Sequence, residues 1–207
     1  MNDNSRTTEN DGRGARRRAR TRADLLAAAR QVFAAHGYHD ASIAHITSAA
    51  DVGVGTFYLH FRDKDEVFTT VLEEGFKQLQ EQIATALAQQ ADAPTLAVVI
   101  STIFRQAYAQ RDLFQIALTG GGQFMRTFRA QSRLSAGLTQ TLEAANTGGL
   151  LSDYDIPLLA RFITGMVTQG IIWWFEQDEP GPEEMTRQAV QLLRNGLPAQ
   201  LLSETGR

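Results

Sequence analysis

The 207-residue chain contains no cysteine, only five prolines and no long uninterrupted apolar run. Without cysteine it can form neither a disulfide nor a thiolate metal site, which favours a cytoplasmic protein. The longest apolar stretch, Ile163 to Phe175, is interrupted by two threonines and a glutamine and is too short to span a bilayer. No early apolar run resembles a signal peptide. We therefore expect a cytoplasmic, helix-rich globular chain that does not enter a membrane.

Charge is distributed unevenly along the chain. The net charge of −3 argues, taken alone, against a nucleic-acid partner. However, residues 13–22 contain six arginines and no acid, whereas acids accumulate further along the chain. A basic cluster of this kind is typical of a surface that binds phosphate, and a solvated terminus is the alternative.

Residues that could carry catalysis are scarce. There is no thiol, and no Ser/His/Asp grouping is brought together by helical register. His36 and His39 are close in sequence, but no third ligand keeps helical register with them. We therefore expect no catalytic residues, no bound metal and no cofactor.

The most informative stretch is residues 42–67. A short amphipathic helix is predicted behind a Ser42 cap, and the pattern breaks before Gly53. A second helix follows, in which Phe57 and Phe61 stand at i and i+4 and point inward. Acidic residues then mark the start of a third helix. Helix, tight turn and helix is the arrangement that lays a second helix in the major groove of DNA.

The run from Ile46 to Val67 resembles the DNA-binding signature of the TetR family of bacterial transcriptional regulators. The specific positions are Val52, Gly55, Thr56, Tyr58, His60, Phe61 and Lys64. Two positions depart from the commoner pattern, Asp51 where glycine is usual and Gly53 where serine or threonine is usual. The resemblance implies an all-α fold, with a three-helix helix-turn-helix DNA-binding head followed by a helical ligand-binding and dimerisation body.

The resemblance also implies which residues contact DNA. Backbone phosphates would be bound by Ser42, Tyr58, His60 and Lys64, and base edges would be approached by Val54, Gly55 and Thr56. The arginine-rich arm would add Arg17, Arg18 and Arg20, on phosphates or in a minor groove. Core packing is the alternative for Tyr58, and a solvated helix cap is the alternative for Lys64.

Four regions are predicted. They are a disordered basic arm over 1–19, the helix-turn-helix domain over 20–66, an effector-binding and dimerisation domain over 67–197, and a tail over 198–207. Within the body, apolar residues at helical spacing predict helices over about 64–90, 95–110, 113–119, 123–145, 155–177 and 183–195.

Two sets of body residues are candidates for further sites. A ligand pocket is predicted from the aromatic and methionine residues Phe104, Tyr108, Phe114, Phe124, Met125, Phe128, Phe162, Met166 and Trp173, although they could simply fill a core. The helix over 155–177 is apolar on almost every side and therefore needs a second covering surface. The resemblance implies that this surface is a copy of the same chain, through Phe162, Ile163, Val167, Ile171, Trp174, Met185, Ala189 and Leu192.

The sequence thus predicts a ligand-responsive transcriptional regulator. We expect a repressor that binds a palindromic operator in double-stranded DNA as a homodimer and is released by a small apolar or aromatic effector. The alternative is an α-helical enzyme or scaffold that retains a regulator-like head without sequence-specific DNA binding.

Overall fold

The computed structural model describes residues 4–89, 96–119, 130–146, 148–177 and 179–196. Their regular structure is entirely helical. The helices are α1 (Asn4–Asp40), α2 (Ile43–Ala49), α3 (Val54–Tyr58), α4 (Lys64–Gln89), α5 (Leu96–Ala109), α6 (Arg111–Thr119), α7 (Ala130–Ala145), α8 (Ile156–Gln177) and α9 (Pro182–Asn195). The chain divides into two compact units, Met1–Gly75 (unit 1) and Phe76–Arg207 (unit 2).

Helix α1 begins much earlier than the sequence predicted. The disordered arm expected over 1–19 is helical from Asn4 onward, because alanine and arginine are strong helix formers and continue directly into the amphipathic segment after Thr21. The side chains of residues 13–20 are all exposed. The backbone leaves the helical conformation at Gly37, where φ is 70° and a residue with a Cβ would be strained.

Unit 1 is built around a small aromatic core. Phe33 of α1 and Phe68 of α4 pack edge to face, with ring centroids 4.9 Å apart. Phe57 of α3 and Phe61 are also buried, and their ring centroids lie 5.6 Å apart. The same core includes Leu25, Ala29, Ile46, Val67 and Leu72. The inward placement of Phe57 and Phe61 follows the i, i+4 spacing seen in the sequence.

The boundary between the two units lies within helix α4. Its 26 residues start at Lys64 and end at Gln89. The predicted domain boundary at 66–67 falls inside this helix, whereas the compact units meet at Gly75–Phe76. A continuous helix therefore belongs to unit 1 in its first turns and to unit 2 in its later turns.

Unit 2 is a helical bundle in which α7 packs along α8 and α9 packs along α5. Its core draws on α4 to α8 and includes Leu79, Ile100, Phe104, Phe114, Leu138, Ile163, Val167, Ile171 and Trp174. The guanidinium of Arg111 donates to the carbonyl of Phe175, near the end of α8. It also lies over the Trp174 ring, 5.8 Å from the centroid.

By length and composition alone, α8 could cross a membrane, with a mean hydropathy of 1.3 over its most apolar window. The sequence prediction that this region is too short for a span considered only 163–175, whereas the helix has 22 residues. Seven of them, including Ile163, Ile171 and Trp174, are buried inside unit 2. One apolar face of this helix therefore packs within the unit.

Candidate nucleic-acid interface and effector cavity

The turn between α2 and α3 has the geometry expected of a helix-turn-helix. The Ser42 hydroxyl oxygen caps α2 by accepting from the backbone N–H of His45, at 3.1 Å. After α2, Asp51 adopts φ 53°, a left-handed conformation that aspartate tolerates better than most residues. Gly53 precedes α3 in extended conformation without any side-chain cap. The departures from the common signature at Asp51 and Gly53 are therefore accommodated without loss of the turn.

Helix α3 buries Phe57, leaves Thr56 half-buried and exposes its other three residues. Phe57 is completely buried and holds the helix on unit 1. Val54 is 48% exposed, Tyr58 is 56% exposed, and Gly55 is exposed between them. A Cβ built on Gly55 would meet nothing within 4 Å. The predicted base-reading residues Val54 and Gly55 thus share an open surface with Tyr58, while Thr56 is half-buried.

Two arginines of α1 lie against α3 and the loop after it. The Arg18 guanidinium approaches the Leu59 carbonyl at the end of α3, at 3.5 Å. Arg22 stacks over the Phe61 ring, 5.0 Å from its centroid, and forms an exposed ion pair with Glu74 at 3.5 Å. The predicted phosphate-binding residue Arg18 is therefore next to α3. Arg22, which packs on Phe61, was not among the residues predicted to bind DNA. The sequence indicated it only as one of the six arginines in residues 13–22.

These two charges act on His60. Partial burial lowers the pKa of His60 below its ordinary value, and the positive charges of Arg18 and Arg22 lower it further. The imidazole is half-buried at the edge of the α3 surface. A negatively charged phosphate near this edge would act in the opposite direction and favour the imidazolium.

Lys64 is engaged differently from the prediction. Its ammonium group donates to the backbone carbonyls of Tyr38 at 2.7 Å, Ala41 at 2.8 Å and His39 at 3.3 Å. It also lies over the Tyr38 ring, 4.4 Å from the centroid. An ammonium has three N–H donors, and these carbonyls use them all. In this structure Lys64 therefore caps the end of α1, and its predicted contact with a backbone phosphate stays a prediction.

The start of α4 is stabilised by its own acidic residues. The Asp63 carboxylate accepts from the backbone N–H of Glu66 at 2.8 Å. The Glu66 carboxylate accepts in turn from the backbone N–H of Arg62 at 2.7 Å. This arrangement closely resembles a capping box. The hydrogen bonds from Arg62 lower the pKa of Glu66.

The Tyr38 hydroxyl donates to Asp65 in the first turn of α4. Burial of Tyr38 raises the pKa of its hydroxyl, and the hydrogen bond to Asp65 raises it further.

Unit 2 contains an apolar cavity of about 320 Å³. Helices α4, α5, α7 and α8 line it, mainly through Leu79, Ile83, Leu87, Val99, Ile103, Leu138, Ile163 and Val167. The polar groups in its walls are glutamines and threonines, and no charged residue is found among the lining residues that the structure describes. The cavity is within the size range of small-molecule sites.

The predicted pocket residues that the structure describes do not line this cavity. Phe104 and Phe114 are buried in the core of unit 2, and Met166 packs against that core. Tyr108 stacks on Trp174, with ring centroids 5.4 Å apart. Phe162 and Trp173 are exposed. Phe124, Met125 and Phe128 lie outside the described residues. Aromatic content showed which helices are apolar, but not which of their faces enclose space.

The predicted interface residues separate into three groups by their exposure. Ile163, Val167, Ile171 and Trp174 are buried within their own unit and have no surface left for a partner. Phe162 is 67% exposed and Leu192 is 40% exposed. Met185 and Ala189 are partly buried against the core of unit 2. The exposed apolar face of α8 therefore carries Leu158, Phe162 and Trp173 instead of the four buried residues.

Comparison with known proteins gives consistent matches. A family model described as bacterial regulatory proteins, tetR family, matches residues 25–71. The fatty acid metabolism regulator protein of Bacillus subtilis is 25% identical over 162 residues, which cover 75% of this chain and 84% of that protein. The HTH-type transcriptional repressor KstR2 of Rhodococcus jostii is 24% identical over 187 residues, which cover 85% of this chain and 90% of that protein.

A solved structure has a similar fold over both units. It is the transcriptional regulator FadR from Bacillus subtilis in complex with stearoyl-CoA, with a TM-score of 0.68 and 21% identity. The match covers 84% of this chain and 98% of that chain. The predicted all-α architecture, a helix-turn-helix head followed by a helical body, is thereby confirmed.

The matched region begins within α1, includes all of α2 and α3, and ends in the first turns of α4, so it contains the open α3 surface. The relatives are transcriptional regulators and not enzymes, so the prediction of a non-enzymatic regulator is confirmed. Residues 25–71 thus match the bacterial regulatory proteins of the tetR family, and the relatives that cover three quarters or more of the chain, at 24–25% identity, are transcriptional regulators.

Proposed function

We propose that this chain is a cytoplasmic repressor that binds a palindromic operator as a homodimer and is released by a small apolar effector. The observation that carries the proposal is the open face of α3, where Val54, Gly55 and Tyr58 are exposed while Phe57 anchors the helix. A short helix that is anchored on one side and open on the other fits a major groove.

Contacts on this face are assigned by chemistry. Val54 and the methyl group of Thr56 suit a thymine methyl, and the Thr56 hydroxyl suits a base edge. Ser42, Tyr58 and His60 suit backbone phosphates, because a hydroxyl or an imidazolium donates to a phosphate oxygen. The exposed side chains of Arg17 and Arg20, with Arg18 beside α3, would extend the phosphate contacts along α1.

Dimerisation is supported by apolar side chains that unit 2 leaves uncovered. Phe162 and Trp173 of α8 and Leu192 of α9 are all exposed. Two copies joined by a two-fold axis would present two α3 helices to half-sites about one DNA turn apart, roughly 34–36 Å. A palindromic operator follows from that symmetry.

An effector in the apolar cavity is supported by the cavity walls and by the similar fold of a regulator solved with stearoyl-CoA. Release from DNA requires that the effector bind better to the conformation unsuited to the operator. Repression as the outcome is supported by the relative described as a repressor.

The test begins with selection of duplexes from a random DNA pool by the purified full-length chain. We expect a palindromic consensus. On this duplex Thr56→Ala should reduce the preference for one base pair by about 1–3 kcal/mol. Arg17→Gln should weaken binding to all DNA sequences equally. It should also reduce the slope of log affinity against log salt concentration by about 0.9 per lost phosphate contact.

Band-shift titrations at several salt concentrations measure both effects, and Arg194→Gln on α9 serves as the matched control. No consensus after selection, or equal losses on selected and random duplexes for Thr56→Ala, would contradict the proposal.

A further inference from the structure

A second cavity lies beside the apolar one in unit 2. Its volume is about 590 Å³, and its walls come from α7 and α8. They carry the hydroxyl and amide groups of Ser135, Thr139, Gln140 and Thr164. Arg161 is the one charged side chain among its described lining residues. This cavity therefore offers hydrogen-bonding groups and one positive charge, whereas the first offers almost only hydrocarbon.

The two cavities adjoin. Gln140 of α7 and Thr164 of α8 belong to the walls of both. On α8, Arg161 and Thr164 stand at i and i+3, so they share one face of that helix. A single molecule that passes these two shared residues would have one part against Leu138 and Val167 and the other part near Arg161.

The Arg161 guanidinium is available to such a molecule. Its side chain is exposed, and within the described part of the chain no hydrogen bond or ion pair engages it. By contrast, Arg105, Arg111 and Arg187, also in unit 2, are each bonded to a carboxylate or a carbonyl. A planar guanidinium with five donors matches a carboxylate or phosphate group, which it binds in bidentate fashion.

We propose that the effector is an anionic amphiphile, whose hydrocarbon tail fills the apolar cavity and whose acidic group binds Arg161. The inference rests on the proposed function, because it names the chemistry of the same effector. At about 30 Å³ for each water-sized group, the apolar cavity has room for on the order of ten methylene-sized groups. Arg161 then selects for an acidic group on the effector, and the volume of the apolar cavity limits the length of its hydrocarbon chain.

The first experiment compares ten-carbon ligands that differ only in their polar end. Decanoate, decyl phosphate and decanol are titrated into the full-length chain by calorimetry, below their aggregation concentrations. We expect at least one anion to bind tenfold or more tightly than decanol, as for a charge-assisted hydrogen bond. The ratio between decanoate and decyl phosphate shows which acidic group is preferred. Equal affinities for all three ligands would overturn the proposal.

Variants separate the two parts of the site. Arg161→Gln should remove the difference in affinity between the anion and decanol and leave the affinity for decanol unchanged. Arg161→Lys should keep part of that difference. Arg194→Gln, an exposed arginine on α9, is the control and should change neither. Gly137 lines the apolar cavity, and a Cβ there meets nothing within 4 Å. Gly137→Leu should therefore leave the fold unchanged and lower the affinity for all three ligands by a similar factor.

Chain length gives an independent readout. From six to ten carbons, affinity for the preferred anion should rise about fourfold per methylene and then level off. If the ligands bind but Arg161→Gln has no effect, the anionic group is wrong and the apolar effector of the proposed function remains. If no ligand binds, both proposals for the effector fail, while operator selection still tests DNA binding on its own.

Discussion

At the scale of single residues, Lys64 joins two helices of unit 1. Its ammonium at the start of α4 donates to three carbonyls where α1 ends, and these carbonyls have no further helical partner. The chain enters α2 directly after this point, behind the Ser42 cap. Lys64 therefore stabilises the turn from which α2 and α3 are positioned, and we expect its effect on DNA binding to be indirect.

Replacing Lys64 with methionine should lower the free energy of unfolding by about 2 kcal/mol, because hydrogen bonds to a charged donor are lost and carbonyls are left unsatisfied. The slope of log affinity against log salt should stay unchanged, because no phosphate contact is removed. Urea unfolding and salt titrations on the selected duplex measure the two quantities. Lys77→Met is the control, since Lys77 makes only an exposed pair with Glu81 at 3.9 Å and should change stability by less than about 0.5 kcal/mol. A slope reduced by about one unit, with full stability, would restore the phosphate role.

His60 should make DNA binding depend on pH. In the free chain its pKa is lowered by partial burial and by Arg18 and Arg22, so the free state releases its proton more easily than an unfolded chain. Free unit 1 should therefore lose stability as pH falls below about 6.5, until the folded pKa is passed. A phosphate contact raises the pKa again, so the complex takes up a proton and affinity rises as pH falls.

Binding to the selected duplex at pH 8, 7 and 6 tests this direction. The wild-type chain should gain affinity towards pH 6, by at most about tenfold per pH unit for each protomer. His60→Gln should lose this gain. His36, His39 and His45 are present in both proteins, so the difference between the two curves isolates His60. Parallel curves would show that His60 makes no phosphate contact.

At the scale of elements, the helix α3 contains a glycine, Gly55, that no neighbouring atom in unit 1 requires. A glycine inside a helix costs about 0.5–1 kcal/mol relative to alanine, and nothing in unit 1 approaches the position of a Cβ there. The free protein therefore gains nothing from this glycine. We therefore expect DNA to approach the helix backbone closely at this position.

Gly55→Ala should consequently raise the melting temperature slightly and weaken binding to the selected duplex. Gly137→Ala is the matched control, because Gly137 is also helical with nothing near its Cβ but lies on α7 in unit 2. It should give a similar gain in stability with no change in DNA affinity. Unchanged DNA affinity of Gly55→Ala would mean that this part of α3 does not approach DNA closely.

Local signals in the sequence were sufficient for the helix-turn-helix. The Ser42 cap, the break before Gly53 and the inward pair Phe57 and Phe61 each depend on neighbours within a few residues, and each is present in the structure. The role of Lys64 could not be found in this way, because its carbonyl partners are 23 to 26 residues away in sequence. Local capping partners are visible in a sequence, and distant carbonyls are not.

The body shows the same limit more strongly. Its helices were predicted from periodicity, but α8 is apolar nearly all round, and periodicity could not say which side faces the protomer core. The structure buries Ile163, Val167 and Trp174 and exposes Phe162 and Trp173. Nor could residue type distinguish a packed core from a cavity, since Phe104 fills the former and Ile103 lines the latter.

At the scale of the whole molecule, the proposed DNA-binding surface and the proposed effector site belong to different units that share α4. The open α3 face lies in unit 1, and both cavities lie in unit 2. If an effector weakens operator binding by a factor of about 5–150, the operator must weaken effector binding by the same factor. Symmetry adds a second requirement, because two α3 helices engage a palindrome only when two copies are joined.

Phe162→Glu should therefore separate dimerisation from folding. Phe162 is 67% exposed, so a carboxylate there costs the protomer little, but it would be buried without a partner in a dimer. Light scattering should show monomers at micromolar concentration, and affinity for a two-half-site duplex should fall by about 100-fold or more, since the second α3 no longer binds as part of the same molecule. Affinity for a single half-site should stay the same. Leu150→Glu, at a residue that is 79% exposed outside α8 and α9, should leave the oligomeric state and both affinities unchanged. If Phe162→Glu remains dimeric, the interface lies on another surface of unit 2, and the spacing of the two half-sites must be derived from that surface instead.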